Sequence, residues 1–304
     1  MAERHRVATS SLNLRSEPVV RPGNRLAVLP EGQLVSKLAE AETAGWWRVA
    51  TTLAGSAVEG FVAARHLLPV DAAPGPAPAR AIAAVHLAEN RPDVRRDRDG
   101  GRAFPIGEPG RPPAPAGRDA QRRAGLLAIV DWLDVESGAR WRPGAGLTFC
   151  NIYAYDVCYL AGVYLPRVWW TGRALAELAQ GRPVVPALGS TIHELNANAL
   201  CDWLEDFGPQ FGWQRVFALD PLQEAADAGR LALIVAQRVD LNRSGHIQIV
   251  APEHDAFAAR RNDVGVTLPL QSQAGARNFR YGFLGTTRWW TGSQFRTHGL
   301  WVRP

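Results

Sequence analysis

Cys150 stands in the run Leu147-Thr148-Phe149-Cys150-Asn151-Ile152-Tyr153-Ala154-Tyr155-Asp156-Val157, just after the turn residues Pro143-Gly144-Ala145-Gly146. This pattern opens a predicted helix at or near the cysteine. A thiolate there is favoured by the positive end of the helix dipole and by N–H groups that no earlier turn uses. The N–H of Cys150 itself could hold a tetrahedral oxyanion. Ser244-Gly245-His246-Ile247-Gln248-Ile249-Val250 places a histidine 96 residues downstream, at the start of a predicted strand after a turn. Imidazole beside a thiol makes a thiolate–imidazolium pair, which is both a nucleophile and a proton donor to a leaving amine.

Other groups are read as structural. Cys158 lies in the same apolar helix as Cys150, and Cys201 sits among Leu200, Trp203 and Leu204; both read as small buried hydrophobes. Asp156 reads as a hydrogen-bonding group within the helix of Cys150. Three cysteines without CxxC spacing argue against a disulfide framework and a structural zinc site. His193-Glu194 opens like a zinc HExxH motif but has Ala197 where the second histidine belongs. Asp240-Leu241-Asn242-Arg243-Ser244-Gly245 opens like a calcium loop, yet its twelfth position is Ala251 rather than a glutamate. His254-Asp255 reads as a solvated loop. No metal and no cofactor is expected.

The elements that must position Cys150 and His246 follow an α+β order. Asp119–Ser137, Phe149–Ala161, Thr171–Ala179 and Ile192–Phe207 read as helices from their apolar spacing and stop signals. Leu231–Arg238, His246–Ala251 and Val264–Gln271 then read as strands, so helices come first and an antiparallel sheet after. Upstream, residues 7–70 are all β: Val7–Leu14, Arg25–Leu29, Gln33–Leu38, Trp46–Thr52 and Glu59–Val62 alternate with Gly and Pro, as in a small barrel. Residues 71–80 are rich in Pro and Ala and read as a linker, and 81–117 as a segment that wraps the neighbouring domain. The division is therefore 1–70, 71–117 and 118–304. At 304 residues two domains are the natural expectation, and 46% hydrophobic with 21% charged residues suits a globular chain.

The net charge is +5, almost all of it arginine, since Lys37 is the sole lysine. That balance suits an anionic envelope polymer; no dense Lys/Arg run with interleaved aromatics supports nucleic acid as a partner. No apolar run approaches the ~20 residues that span a bilayer, so no membrane insertion is expected. Met1–Arg6 carries charge without a following apolar stretch, which predicts no Sec signal peptide. Synthesis in the cytoplasm, with action after lysis or contact-dependent secretion, is the corresponding expectation.

Leu12-Asn13-Leu14-Arg15-Ser16-Glu17-Pro18, Trp46-Trp47-Arg48-Val49, Glu59-Gly60-Phe61-Val62 and His66-Leu67 resemble the bacterial SH3-like family. That family binds cell-wall peptides or positions an attached wall hydrolase; a spacer barrel with no ligand is the alternative. The Phe-Cys-Asn helix start and the Gly-His-Ile-x-Ile-Val strand, in papain-like order, resemble the NlpC/P60 and CHAP superfamily of peptidoglycan hydrolases over about Gln121–Gln294. The resemblance implies a cysteine amidase or peptidase that cuts an amide in or next to the stem peptide of bacterial peptidoglycan, acting as a monomer. The rival is a non-catalytic wall- or protein-binding protein whose papain-like domain has lost activity. The family places a third polar residue on the strand after the histidine strand, which implies Gln271 or Gln273 here, with Gln271 preferred. An amide there can accept the ring N–H, as Asn does in Cys-His-Asn sites. Tyr153 and Tyr155 are candidate cleft residues. Trp169-Trp170-Thr171-Gly172 recurs as Trp289-Trp290-Thr291-Gly292. Core packing is the default use of such pairs, and Trp169 and Trp289 stacking on sugar faces is the alternative.

Overall fold

Apolar residues two apart build the N-terminal sheet. The computed structural model describes residues 3–7, 11–21, 23–30, 32–53, 56–69, 82–255 and 257–304, and the chain divides into two units, Met1–Ala79 and Arg80–Pro304. The linker expected over 71–80 lies outside the described residues. In the first unit β1 (Glu3–Val7), β2 (Ser11–Arg15), β3 (Arg25–Pro30), β4 (Leu34–Glu40), β5 (Trp46–Leu53), β6 (Ser56–Ala63) and β7 (Leu67–Pro69) form one antiparallel sheet in the order β3-β2-β6-β5-β4-β1-β7. Val7, Leu12, Leu14, Leu29, Val35, Val49, Val62 and Leu67 make its core. Among the described residues the sheet is not closed into the expected barrel: β3 and β7 stand at its two edges. β7 is three residues long and ends at Pro69, which has no N–H to extend a ladder. β2 joins β6 only at Arg15↔Phe61. There Gly60 is required, because a Cβ would lie 2.6 Å from the Arg15 carbonyl oxygen.

The second unit is mixed α and β. Its helices are α1 (Asp119–Leu133), α2 (Cys150–Leu160), α3 (Gly172–Ala179), α4 (Ala197–Asp206) and α5 (Leu219–Asp227). Short strands β8 (Val168–Trp170), β9 (Ile192–Glu194) and β10 (Gln214–Val216) lie between them. After them come β11 (Leu231–Arg238), β12 (His246–Val250), β13 (Arg260–Asn262), β14 (Gly265–Leu268), β15 (Gln271–Gln273), β16 (Phe279–Gly282) and β17 (Phe295–Arg303). Six strands form an antiparallel sheet in the order β10-β17-β11-β12-β15-β16. β11 shows how it is covered on both faces. Leu231, Leu233 and Val235 join the cluster of α1, α2 and α4, while Ala232, Ile234 and Ala236 join that of α5, Trp289 and Trp290.

The elements differ from the sequence reading in several places, and β17, which pairs with β11, was not among those expected. Ile192–Glu194 is a strand and α4 starts only at Ala197, because Asn196 caps it by accepting the Ala199 N–H at 3.0 Å. α5 was not expected. Val264–Gln271 is two strands, β14 and β15, parted at Pro269. Residues 82–117 contain no helix or strand but contribute buried Val85, Val94, Ala103 and Ile106. They are tied in by the Tyr164 hydroxyl, which accepts from the Val85 N–H at 3.0 Å, and by Trp170 Nε1, which donates to the Ala83 carbonyl at 3.3 Å.

α2 is the central helix, apolar nearly all round and buried accordingly. Its one carboxylate, Asp156, accepts Arg140 Nε at 2.7 Å, Arg140 Nη2 at 3.0 Å and Trp141 Nε1 at 2.9 Å. Both charged side chains are 0% exposed. Removing one partner of such a pair costs about 3–5 kcal/mol. Asp156→Leu is therefore expected to lower the urea unfolding midpoint by that amount of stability, with Arg140→Met/Asp156→Leu recovering much of it. A single variant that unfolds at the wild-type midpoint would contradict this role.

Candidate active site

Cys150 is the first residue of α2, preceded by Phe149, whose side chain makes no capping hydrogen bond. The sulfur therefore sits among backbone N–H groups, its own and those of Asn151 and Ile247. Asn151 holds this helix start in place by donating Nδ2–H to the Leu195 carbonyl at 2.8 Å. Ile247 follows His246 on β12, so the thiol meets the histidine strand one residue along from the imidazole. Ile247 and Ile249 belong to the cluster that holds Cys150, while Val250 and Trp289 belong to the other. Among the described residues, no hydrogen bond joins the thiol to the ring.

His246 opens β12 after the β11–β12 connection, which α4 pins. Asn198 Oδ1 accepts the Arg238 N–H at 2.9 Å, and its Nδ2 donates to the Arg243 carbonyl at 2.9 Å. Gly245 is required at this crossing, because a Cβ would lie 2.5 Å from both the Ala236 carbonyl and Asn198 Oδ1. On the other side, Gln223 of α5 clamps the ends of β12 and β15. It accepts the Leu270 N–H at 2.9 Å and donates to the Ala251 carbonyl at 3.1 Å.

Of the two glutamines, Gln273 is the one that meets the ring. Its Oε1 lies 2.6 Å from His246 Nε2 and also accepts from Gln248 Nε2, while its own Nε2 donates to the Arg277 carbonyl at 2.8 Å. Gln271, preferred on sequence, turns elsewhere. Its Oε1 accepts the Leu284 N–H at 3.4 Å, and among the described residues its Nε2 has no hydrogen-bond partner. The antiparallel register of β12 with β15 sets Gln271 beside Val250 and carries Gln273 two residues nearer to His246.

The aromatic candidates do not line an open cleft. Tyr153 and Tyr155 are each 1% exposed. The Tyr153 hydroxyl is 2.6 Å from Ser272 Oγ and docks β15 on α2; the Tyr155 hydroxyl is 3.3 Å from His86 Nδ1. Trp169 is buried among Tyr164, Trp203, Phe207 and Phe211, which leaves no face for a sugar. Trp289 is buried too but belongs to the site. Its ring meets His246 edge-on at 4.7 Å, and its Nε1 donates to Gln248 Oε1 at 2.7 Å. Gln248 was passed over in sequence. Its signal is position: two residues after His246 on one strand, it shares a face with the imidazole.

Burial decides the charge states. It pushes the Cys150 thiol up to about 11, against the N–H groups of Ile247, Asn151 and Cys150 that pull it down. It pushes His246 down to about 4, outweighing the hydrogen bond to Gln273, which raises it. At neutral pH both groups rest uncharged, so the thiolate–imidazolium pair expected from the helix start is replaced by thiol and imidazole. The thiols of Cys158 and Cys201 are also buried and pushed up. Among the described residues, no group of three or more His, Cys, Asp or Glu could hold a metal, and no helix is long and apolar enough to cross a membrane. In the first unit, Arg4, Gln33, Ser36, Thr51 and Thr52 line an open polar groove of about 700 Å³.

No family model and no curated protein matches this chain. Among solved structures it has a weak likeness to NlpC2 from Trichomonas vaginalis, at 11% identity and a TM-score of 0.21, covering 95% of this chain and 73% of that one.

Thiolate fraction controls alkylation. Iodoacetamide labelling of Cys150, read by peptide mass spectrometry, is expected to be slow at pH 7 and to rise about tenfold per pH unit towards pH 11. A rate already at its plateau by pH 7 would contradict the uncharged resting thiol.

Proposed function

We propose that this chain is a cysteine hydrolase of bacterial peptidoglycan, cutting an amide in or next to the stem peptide. The reading is carried by a helix that starts at Cys150, whose sulfur meets the Ile247 N–H, and by the His246–Gln273 hydrogen bond at the start of that same strand β12. In this mechanism Gln273 takes the Nε2–H of His246, which leaves Nδ1 with a free lone pair. As the sulfur of Cys150 attacks the carbonyl carbon, its proton passes to Nδ1. The Cys150 N–H and its uncapped neighbours at the start of α2 hold the oxyanion. The imidazolium then gives the proton to the leaving amine, and a thioester remains on Cys150. Water, deprotonated by the same nitrogen, attacks the thioester and frees the acid and the thiol. Because the resting groups are uncharged, His246 acts as a general base during attack rather than by a preformed ion pair.

The groove of the N-terminal sheet is the proposed contact with wall peptides, and the chain is proposed to work as a monomer. A second reading has its own support. The thiol is 1% exposed, pushed up to about 11 and not hydrogen-bonded to the imidazole, which suits a binding protein that has lost catalysis.

Muropeptide mass spectrometry after digestion of purified sacculi separates the two. The wild-type chain is expected to release new amide-cleavage products, Cys150→Ala to release none, and Cys158→Ala and Cys201→Ala to match wild type. Gln273→Ala is expected to lower turnover by roughly one to two decades, since a misplaced base costs on that order, and Gln271→Ala to change it little. Wild-type turnover by Cys150→Ala would remove the nucleophile assignment; no product from any version would favour the binding protein.

A further inference from the structure

Three side chains beyond the ring form a one-way chain of hydrogen bonds. An indole N–H can only donate, so Trp289 Nε1 requires the oxygen of Gln248, 2.7 Å away. With that oxygen engaged, the NH₂ of Gln248 faces Gln273 and donates to its Oε1. The far end agrees, but holds Gln273 by one hydrogen bond. A backbone carbonyl can only accept, so the Arg277 oxygen requires the NH₂ of Gln273, 2.8 Å away. Turning either amide over would set NH₂ against N–H or oxygen against oxygen, where Gln248 is 0% and Gln273 1% exposed. The atom of Gln273 that meets His246 Nε2 at 2.6 Å is therefore an oxygen, and the proton of the neutral ring must lie on Nε2.

We infer that Trp289 and Gln248 are positioning residues that set the His246 tautomer, keeping Nδ1 unprotonated as the base. The inference rests on the reading of His246 as the proton acceptor only for its effect on rate; the tautomer itself does not depend on it. Trp289 acts twice, by its N–H through Gln248 and by its ring edge against the imidazole at 4.7 Å. Phenylalanine keeps a ring there and loses the donor, which separates the two.

The test uses the full chain labelled with ¹⁵N-histidine, with His246 signals identified by their loss in His246→Ala. Wild type is expected to show His246 protonated on Nε2 alone. Trp289→Phe frees Gln248 to turn over, and a population protonated on Nδ1 is expected to appear. Gln248→Leu, which removes both links of the chain without touching the ring contact, is expected to do the same and serves if Trp289→Phe fails to fold. In hydrolysis both variants are expected to lower kcat about tenfold with KM unchanged. A wild-type His246 protonated on Nδ1, or variants with the wild-type tautomer, would overturn the inference. A wild-type chain with the Nε2 tautomer and no hydrolysis would leave it standing and remove the hydrolase reading instead.

Discussion

A carboxamide has one oxygen and one NH₂, and at Gln273 neither can be exchanged for the other. Its oxygen receives His246 and Gln248 while its NH₂ is held by the Arg277 carbonyl. The site geometry follows from satisfying this one buried group. The pairing of β15 with β12 sets Gln273 across from Gln248, Gln223 clamps the strand ends, and Gly245 with Asn198 sets where β12 begins. These contacts come from α4, α5, β12 and β15, so the ring is positioned by the whole second unit rather than by one loop.

The other half of the site is held by α2, and its anchoring has a chemical consequence. Burying a helix on nearly every side gives Cys150 a defined place, but it also removes the solvent that would stabilise a thiolate. The N–H groups at the helix start pull the thiol one way and desolvation pulls harder the other way, leaving it near 11. Desolvation also lowers His246, to about 4, although its side chain is only half-buried at the start of β12. Thus the dryness that fixes the geometry also selects an uncharged resting pair. The equally buried Arg140 and Asp156 side chains are joined bidentately, with Trp141 donating to the same carboxylate.

Much of this was legible in sequence, and the remainder has physical reasons. Local periodicity marked α2 and its start at Cys150, the strands at β11 and β12, and the β-rich character of the first unit. Turn residues marked the approach to His246. The open sheet was not legible, because closure depends on which edge strands pair and not on how many strands there are. The choice between Gln271 and Gln273 turned on the register between β12 and β15, which spacing within one strand cannot show. Tyr153 and Tyr155 were candidate cleft residues because sequence gives residue type without burial, whereas Trp169 takes the core-packing use expected by default. Gln248 was visible as a polar residue two after His246, yet only its contact with an indole N–H, from a residue 41 positions away, shows what it does.

The central claim is that the sulfur of Cys150 becomes covalently bound to the acyl part of a wall amide. Intact-protein and peptide mass spectrometry after acid quench of the chain mixed with a stem-peptide substrate measures this directly. The account expects an adduct of the acyl fragment's mass, confined to the peptide containing Cys150, that forms and then decays as product accumulates. Product accumulating with no adduct on Cys150, in Gln273→Ala as in wild type, or an adduct on Cys158 or Cys201, would contradict it.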